Sequence, residues 1–491
     1  MADADLILVL DAGTTSTRAM VFSSAGDVRA IAQRPLEQHY PQSGWVEHDA
    51  EEIWRSTLEV ARDAVTIAGG IDRIACLGIA NQRETVIAWD RNSWNPLHRA
   101  IVWQDRRTAD ACAALRNQGH EPDVQARTGL LLDPYFSATK MRWLLDNAAD
   151  VAAARDAGSL AFGTVESWLV FKLSGGAHLC DASNASRTSL LPLAGASWDP
   201  MLCNLFGVPE EALPEVVDCA GALATTQPDL FGRAIPITGL AGDQQAATIG
   251  QGCLSPGDVK ATYGTGAFVL ANVGGRLPRS HHRLLGTVLT QLDGARSYAL
   301  EGSVFVAGSL VQWLRDSLGL IADAAETEAL ARSVPNTGGV VIVPALSGLG
   351  APHWLPHARG SITGLSFATS RAHLVRAALE AMALQTHDLA HAFAADGAGW
   401  RSLRIDGGMT ANDWIAQDLA DILALPVERP ELVETTALGA AMLAAVGAGL
   451  HSNLRAAADA MRGPLRRFTP QLDEAARSAR LAAWRKALAT V

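Results

Sequence analysis

Two short turns rich in glycine and hydroxyl residues are where this chain's chemistry is first legible. Gly13-Thr14-Thr15-Ser16 follows Asp11, and Gly264-Thr265-Gly266 recurs in the second half. Glycine lets a polyanion approach the backbone, while free N–H groups and threonine hydroxyls bind phosphate oxygens. One such turn equally well closes an ordinary hairpin, but two, one from each half, could grip a polyphosphate between them. Asp11, at the carboxyl end of an apolar run, is placed to orient hydrated Mg2+. Asp243, within Ala241-Gly242-Asp243-Gln244-Gln245, stands at a strand–helix junction, where it reads either as a helix N-cap or as a general base. Asn81-Gln82-Arg83-Glu84 follows another apolar run. Its adjacent donors and acceptors suit neighbouring hydroxyls, and an exposed ion pair is the plain alternative. Trp103 and Tyr135-Phe136 display aromatics near turns.

Other signatures are missing from the sequence. There is no Gly-Lys-Ser/Thr of a P-loop, no GxGxxG, no His-Arg-Asp loop and no GxSxG. His387-Asp388-Leu389-Ala390-His391 puts two imidazoles on one helix face, as zinc requires, but no third ligand follows. These histidines therefore read as helix-face residues, and His281-His282, His353 and His357 as surface features.

The elements that must position these groups alternate between strand and helix. Leu6–Leu10 and Thr17–Phe22 read as a hairpin, with Ile53–Ile67 a helix and Ile74–Ile79 a buried strand. Val259–Tyr263 and Ala267–Ala271 repeat the hairpin about 250 residues later, which suggests a duplicated α/β unit. Helices are predicted at Ala307–Leu318, at Arg371–Ala395 and from about Ala411 to Leu423, with the domain boundary near residue 250.

Composition limits the partners. The chain has 491 residues, 48% hydrophobic and 19% charged, with mean hydropathy +0.11. That excludes wholesale disorder and gives ample surface to bury. Its net charge is −11 with no basic run, which disfavours nucleic acid and anionic membrane. Six scattered cysteines without a CxxC pair read as reduced thiols. The start, Met1–Asp5, lacks a signal peptide's basic region, and the longest apolar stretch, Thr436–Leu450, is an Ala/Gly-rich core helix rather than a span. A soluble cytoplasmic protein is expected.

Taken together, the segments resemble the FGGY carbohydrate kinases, nearest the branch that phosphorylates glycerol. The matches run in order from Asp11-Ala12-Gly13-Thr14-Thr15 through Gly44–Asp49, Asn81–Thr85, Ser183–Thr188, Gly242–Gln245, Tyr263–Gly266 and Asp406–Gly408 to Thr436–Ala441. The resemblance implies two ribonuclease-H-like α/β domains of the actin, hexokinase and chaperone ATPase superfamily around a central cleft. Residues 1–250 would bind acceptor and phosphates and carry the base, and residues 251–491 would bind nucleotide. The implied reaction is ATP- and Mg2+-dependent phosphorylation of glycerol to sn-glycerol 3-phosphate, the first step of glycerol catabolism, by a cytoplasmic homo-oligomer, dimer or tetramer.

Residue by residue, the resemblance assigns Thr14, Thr15, Ser16 and Arg18 to the terminal phosphates, with Thr265 and Gly266 opposite. Gly308, Gln312, Gly408, Met409 and Asn412 match the adenosine side. Arg83, Glu84, Tyr135 and Asp243, with Gln244 beside them, match the polar residues that hold glycerol, and Trp103 and Phe268 match the aromatics on its carbon skeleton. Asp243 would take the proton of the attacking hydroxyl, and Asp11 would hold Mg2+ through water. Ala12 and Ala267 depart from the family's usual Gln and Cys. The loop Thr226–Arg233 lacks both the Gly- and Arg-rich stretch that binds fructose 1,6-bisphosphate and the phosphorylated histidine of some members, so neither control is expected. A kinase for another polyol or ketose is the alternative within the family. A silent nucleotide-binding protein on the same fold is the alternative outside enzymes.

Overall fold

The computed structural model describes residues 5–355 and 357–491. Residues 1–4 of the acidic start and Pro356 of the loop Ser347–Arg359 lie outside it. Strand β1 (Leu6–Ala12) is buried at every position, and a strand covered on both faces accounts for its unbroken apolar run. It pairs antiparallel with β2 (Ser16–Ser23), setting Asp11 opposite Arg18, and β2 pairs with β3 (Val28–Pro35). The strands absorb Asp11, Ala12 and Ser16, so the turn narrows to Gly13-Thr14-Thr15. Helix α1 (Ala50–Ile67), capped by the Asp49 carboxylate, makes the crossover that a parallel partner of β1 needs. That partner is β4 (Ile74–Asn81). With β5 (Ala220–Thr225) and β6 (Pro236–Gly242), the first sheet has six strands in the order β5-β6-β4-β1-β2-β3.

The second sheet repeats the plan. Strands β7 (Asp258–Tyr263) and β8 (Ala267–Gly274) form the hairpin; β9 (Leu285–Leu292) and β10 (Ala295–Val304) extend it on one side. On the other side come β11 (Ser402–Asp406), parallel to β7, then β12 (Val427–Pro430) and β13 (Leu465–Phe468). Its seven strands lie in the order β9-β10-β8-β7-β11-β12-β13. In each sheet the first hairpin strand has an antiparallel neighbour on one side and a parallel one on the other, as a duplicated α/β unit requires. The two units form two domains facing a cleft.

Six further helices matter to the site: α2 (Asp243–Gly250), α3 (Gly308–Asp316), α4 (Arg371–Ala395), α5 (Asp413–Leu423), α6 (Thr435–Gly447) and α7 (Leu454–Met461). A short 3-10 turn, Gly408–Ala411, precedes α5, whose start is fixed by the Asn412 side chain capping Trp414 N. Helix α6 comes from the second half yet packs on the first sheet, in one apolar cluster with Ile7, Val9 and Cys76. Gly78 and Gly239 make room for it, since a Cβ there would stand 2.6 Å from Ala440 O and 2.4 Å from Ala444 N. That close approach explains why the helix is built of alanine and glycine. The six cysteines are buried and unpaired. Among the described residues no helix is long and apolar enough to cross a membrane.

Candidate active site

Strands β1, β4 and β6 run parallel and in register, with Ala12 beside Asn81 and Asn81 beside Gly242. Their carboxyl ends therefore open at one place, where ligands bind in parallel α/β sheets. From these ends emerge the Gly13-Thr14-Thr15 turn, Arg83 with Glu84, and Asp243. Gly242, not Asp243, is the N-cap of α2, and Asp243 is the first helical residue. That disposes of the capping alternative and leaves the carboxylate free to face the cleft, its side chain 31% exposed.

The Asp243 carboxylate accepts a hydrogen bond from Gln244 N at 2.7 Å and lies 3.4 Å from Arg83 Nε. Burial pushes its pKa above the ordinary aspartate value, against the pull of Arg83 and Lys260. A carboxylate shifted upward in this way takes a proton more readily than an ordinary aspartate. Gly242 is required because the Arg83 stem lies on it; a Cβ there would meet Arg83 Cγ at 2.7 Å.

Arg83 is the hub of the polar side. Its Nη2 donates to Tyr135 OH at 3.1 Å, and its Nη1 to Glu301 at 2.6 Å and Gln245 at 3.3 Å. Its Nε is a buried donor without a hydrogen-bond partner among the described residues. Accepting from Arg83 leaves the Tyr135 proton to donate. Glu84 sits at φ 60, a left-handed conformation uncommon outside glycine that concentrates at working sites. Burial raises its carboxyl while Arg83 and Arg187 draw it down.

The apolar side is aromatic. Trp103 meets Tyr135 edge-on at 5.7 Å between ring centroids and Phe268 at 6.3 Å. Phe268 stands on β8, so this wall is shared by both halves. Trp103 Nε1 also donates to Thr14 Oγ1 at 2.9 Å, tying the wall to the first turn. A polar wall facing an apolar one is the form of a site for a small polyhydroxylated molecule.

The remaining expected residues fall into two groups. Arg18 pairs with Glu434 and approaches Asp11 at 4.0 Å, while Ser16 Oγ accepts from Gln33 at 2.9 Å. Thr15 is exposed at the turn. In the second half, Gly308 packs where a Cβ would stand 2.5 Å from Gly264 O and 3.1 Å from Met409 Cγ, so the turn, helix α3 and the Gly408-Met409 corner form one surface. Gln312 and Gly408 are exposed there. Two side chains have partners already. Asn412 caps α5 and donates to Thr327 Oγ1 at 3.2 Å, and Gln244 Oε1 accepts from Lys260 Nζ at 2.6 Å.

Asp11 fits a magnesium site. Burial pushes its pKa to about 6 despite Arg18, and the like charges of Asp243 and Glu434 add to the rise. A divalent cation would relieve that crowding of negative charge. No group of three or more His, Cys, Asp or Glu side chains forms a metal cage among the described residues. Magnesium characteristically binds through one or two carboxylates plus phosphates and water, which this arrangement suits.

Among the described residues the paired histidines of α4 join no group of three or more side chains that could hold a metal ion. Asp388 between them accepts from Trp484 Nε1 at 2.8 Å and lies 3.1 Å from His353 Nε2, a structural role. Three charged residues escaped the sequence reading, Lys260, Glu301 and Glu434, and Arg187 was singled out only as part of the matched segment Ser183–Thr188. Lys260 and Glu301 each interrupt an apolar strand and are buried, and that interruption was the available signal.

Residues 6–250 match the N-terminal domain of the FGGY family of carbohydrate kinases, and residues 259–448 its C-terminal domain. A glycerol kinase of Rhodospirillum centenum is 55% identical over 490 residues, covering 99% of this chain and 98% of its own. One from Methylobacterium nodulans is 54% identical, covering 98% and 97%. The crystal structure of Plasmodium falciparum glycerol kinase with ADP superimposes with a TM-score of 0.95 at 35% identity, covering 99% of this chain and 98% of that one. The chain belongs to the FGGY family of carbohydrate kinases.

Proposed function

We propose that this protein transfers the γ-phosphoryl group of ATP to a primary hydroxyl of glycerol, forming sn-glycerol 3-phosphate and ADP. The observation that carries the reading is the convergence of Asp243, Arg83 and Tyr135 against the Trp103–Phe268 wall. The similarity to glycerol kinases over nearly the whole length of the chain supports it.

In this reading Arg83, Glu84 and Tyr135 orient the hydroxyls of the triol, with Gln244 beside them, and Trp103 and Phe268 pack on its carbons. The Asp243 carboxylate accepts the hydroxyl proton as the oxygen bonds to the γ-phosphorus, and the bond to the bridging oxygen of ADP breaks in line. The Thr14–Ser16 and Thr265–Gly266 turns and Arg18 hold the phosphates, and Gly308, Gln312, Gly408, Met409 and Asn412 the adenosine. Mg2+, oriented by Asp11 through water, would neutralise charge on the phosphates. Residues 1–250 supply the base and most acceptor contacts, and residues 251–491 the nucleotide side. The assembly is a homo-oligomer, which light scattering on the purified protein tests.

The deciding experiment is ADP release measured with glycerol, dihydroxyacetone, erythritol, ribitol and xylulose. Glycerol giving the highest kcat/KM supports the reading, and a clear preference for xylulose or ribitol overturns it.

A further inference from the structure

The geometry points to Glu301 as a positioning residue that holds Arg83 off the catalytic base. This deepens the reading of Asp243 as base and rests on it. Glu301 stands on β10 of the second sheet and is 1% exposed. Each of its oxygens takes one guanidinium from the first half: Oε2 from Arg83 at 2.6 Å and Oε1 from Arg187 at 2.8 Å. Arg187 in turn donates to Glu84 at 2.6 Å.

Arg83 is thus contested by three carboxylates. Glu301 holds the short bond, whereas Asp243 at 3.4 Å and Glu84 at 3.8 Å hold only Nε, without hydrogen-bond geometry. Burial alone would raise the Glu301 carboxyl, but Arg187 and Arg83 overrule it and hold it at about 2, so it stays ionised. Arginine and a carboxylate favour two parallel hydrogen bonds when nothing else competes. Without the Glu301 charge, the nearest way to pair Arg83 is to close it onto Asp243. That pair would occupy the lone pairs that must receive the substrate proton. Because Glu301 belongs to the second sheet, the free base exists only where the two halves meet.

The charges facing Asp243 are Arg83 after β4, Lys260 on β7, Glu301 on β10 and Asp11 on β1. Glu301→Gln removes one of them and leaves two buried guanidinia short of a counter-charge, which risks misfolding. The test therefore pairs it with Glu301→Gln/Arg187→Met, which removes one charge of each sign. Expected for the double variant, and for the single variant if it folds, is a kcat for glycerol lowered by about 100-fold, the size of effect a misplaced reacting group produces. KM for ATP is unchanged, and the acid limb of kcat shifts to lower pH.

A folded double variant with wild-type kcat and pH profile overturns the proposal. A crystal structure of the double variant gives a readout independent of the acceptor. Arg83 paired through two hydrogen bonds with Asp243 supports the proposal, and Arg83 unmoved overturns it. If the wild-type enzyme releases no ADP with glycerol, the functional reading fails, while the position of Arg83 still decides the role of Glu301.

Discussion

The two sides of the cleft are built by opposite means. On the side proposed for the acceptor, Arg83, Glu84, Arg187 and Glu301 are almost wholly buried, and each is held by an ion pair. On the side proposed for the nucleotide, Gly264, Thr265, Gln312 and Gly408 are exposed, and the surface is shaped by glycines meeting backbone. A small neutral acceptor offers few contacts, so its site must be preorganised, and buried charges fixed by one another do that. A polyphosphate carries its own charge, so backbone N–H groups and room to approach suffice.

That contrast breaks most severely at Asp243. Asp243→Asn should lower kcat on the order of 1000-fold, within the range a positioned base supplies, while calorimetry still detects glycerol binding. Lost glycerol affinity with a proportionate kcat would instead make Asp243 a binding group. Gly308→Ala attacks the other side, because its Cβ must displace the Gly264–Gly266 turn. KM for ATP should rise roughly 10- to 100-fold with KM for glycerol nearly unchanged. Equal rises in both would show that the two sides are not independently built.

A smaller effect concerns pH. Asp243 must be ionised to accept a proton, and burial raises its pKa above 3.8. Activity should therefore fall on acidification at a higher pH than an exposed aspartate would allow. An acid limb at or below 3.8 would deny that burial governs this group. The smallest expected effect is none at all: fructose 1,6-bisphosphate should leave the rate unchanged, and clear inhibition would show that the shortened Thr226–Arg233 segment still forms a control site.

How much of this was legible beforehand follows from the range of each interaction. The hairpins showed in apolar runs around Gly/Thr turns, and α4 was bounded correctly at Arg371 and Ala395 because helical periodicity is local. The Ala/Gly composition of α6 announced close packing but not its partner, since Gly78 and Gly239 lie some hundreds of residues away in sequence. Asp243 was found by its junction, yet its freedom from capping depended on Gly242 taking that role. Glu301 and Lys260 gave only the weak sign of a charge inside a strand.

The sequence by itself suggested the α/β duplication and named the groups at the strand ends, because local pattern carries that information, and the resemblance of its ordered segments pointed to the family. Tertiary structure alone decided which charges meet. Arg83 and Glu301 are 218 positions apart, and Arg187 and Glu301 are 114 apart. A buried ion pair depends on the distance between charges in space and on their shared removal from water, and neither is written in the order of residues.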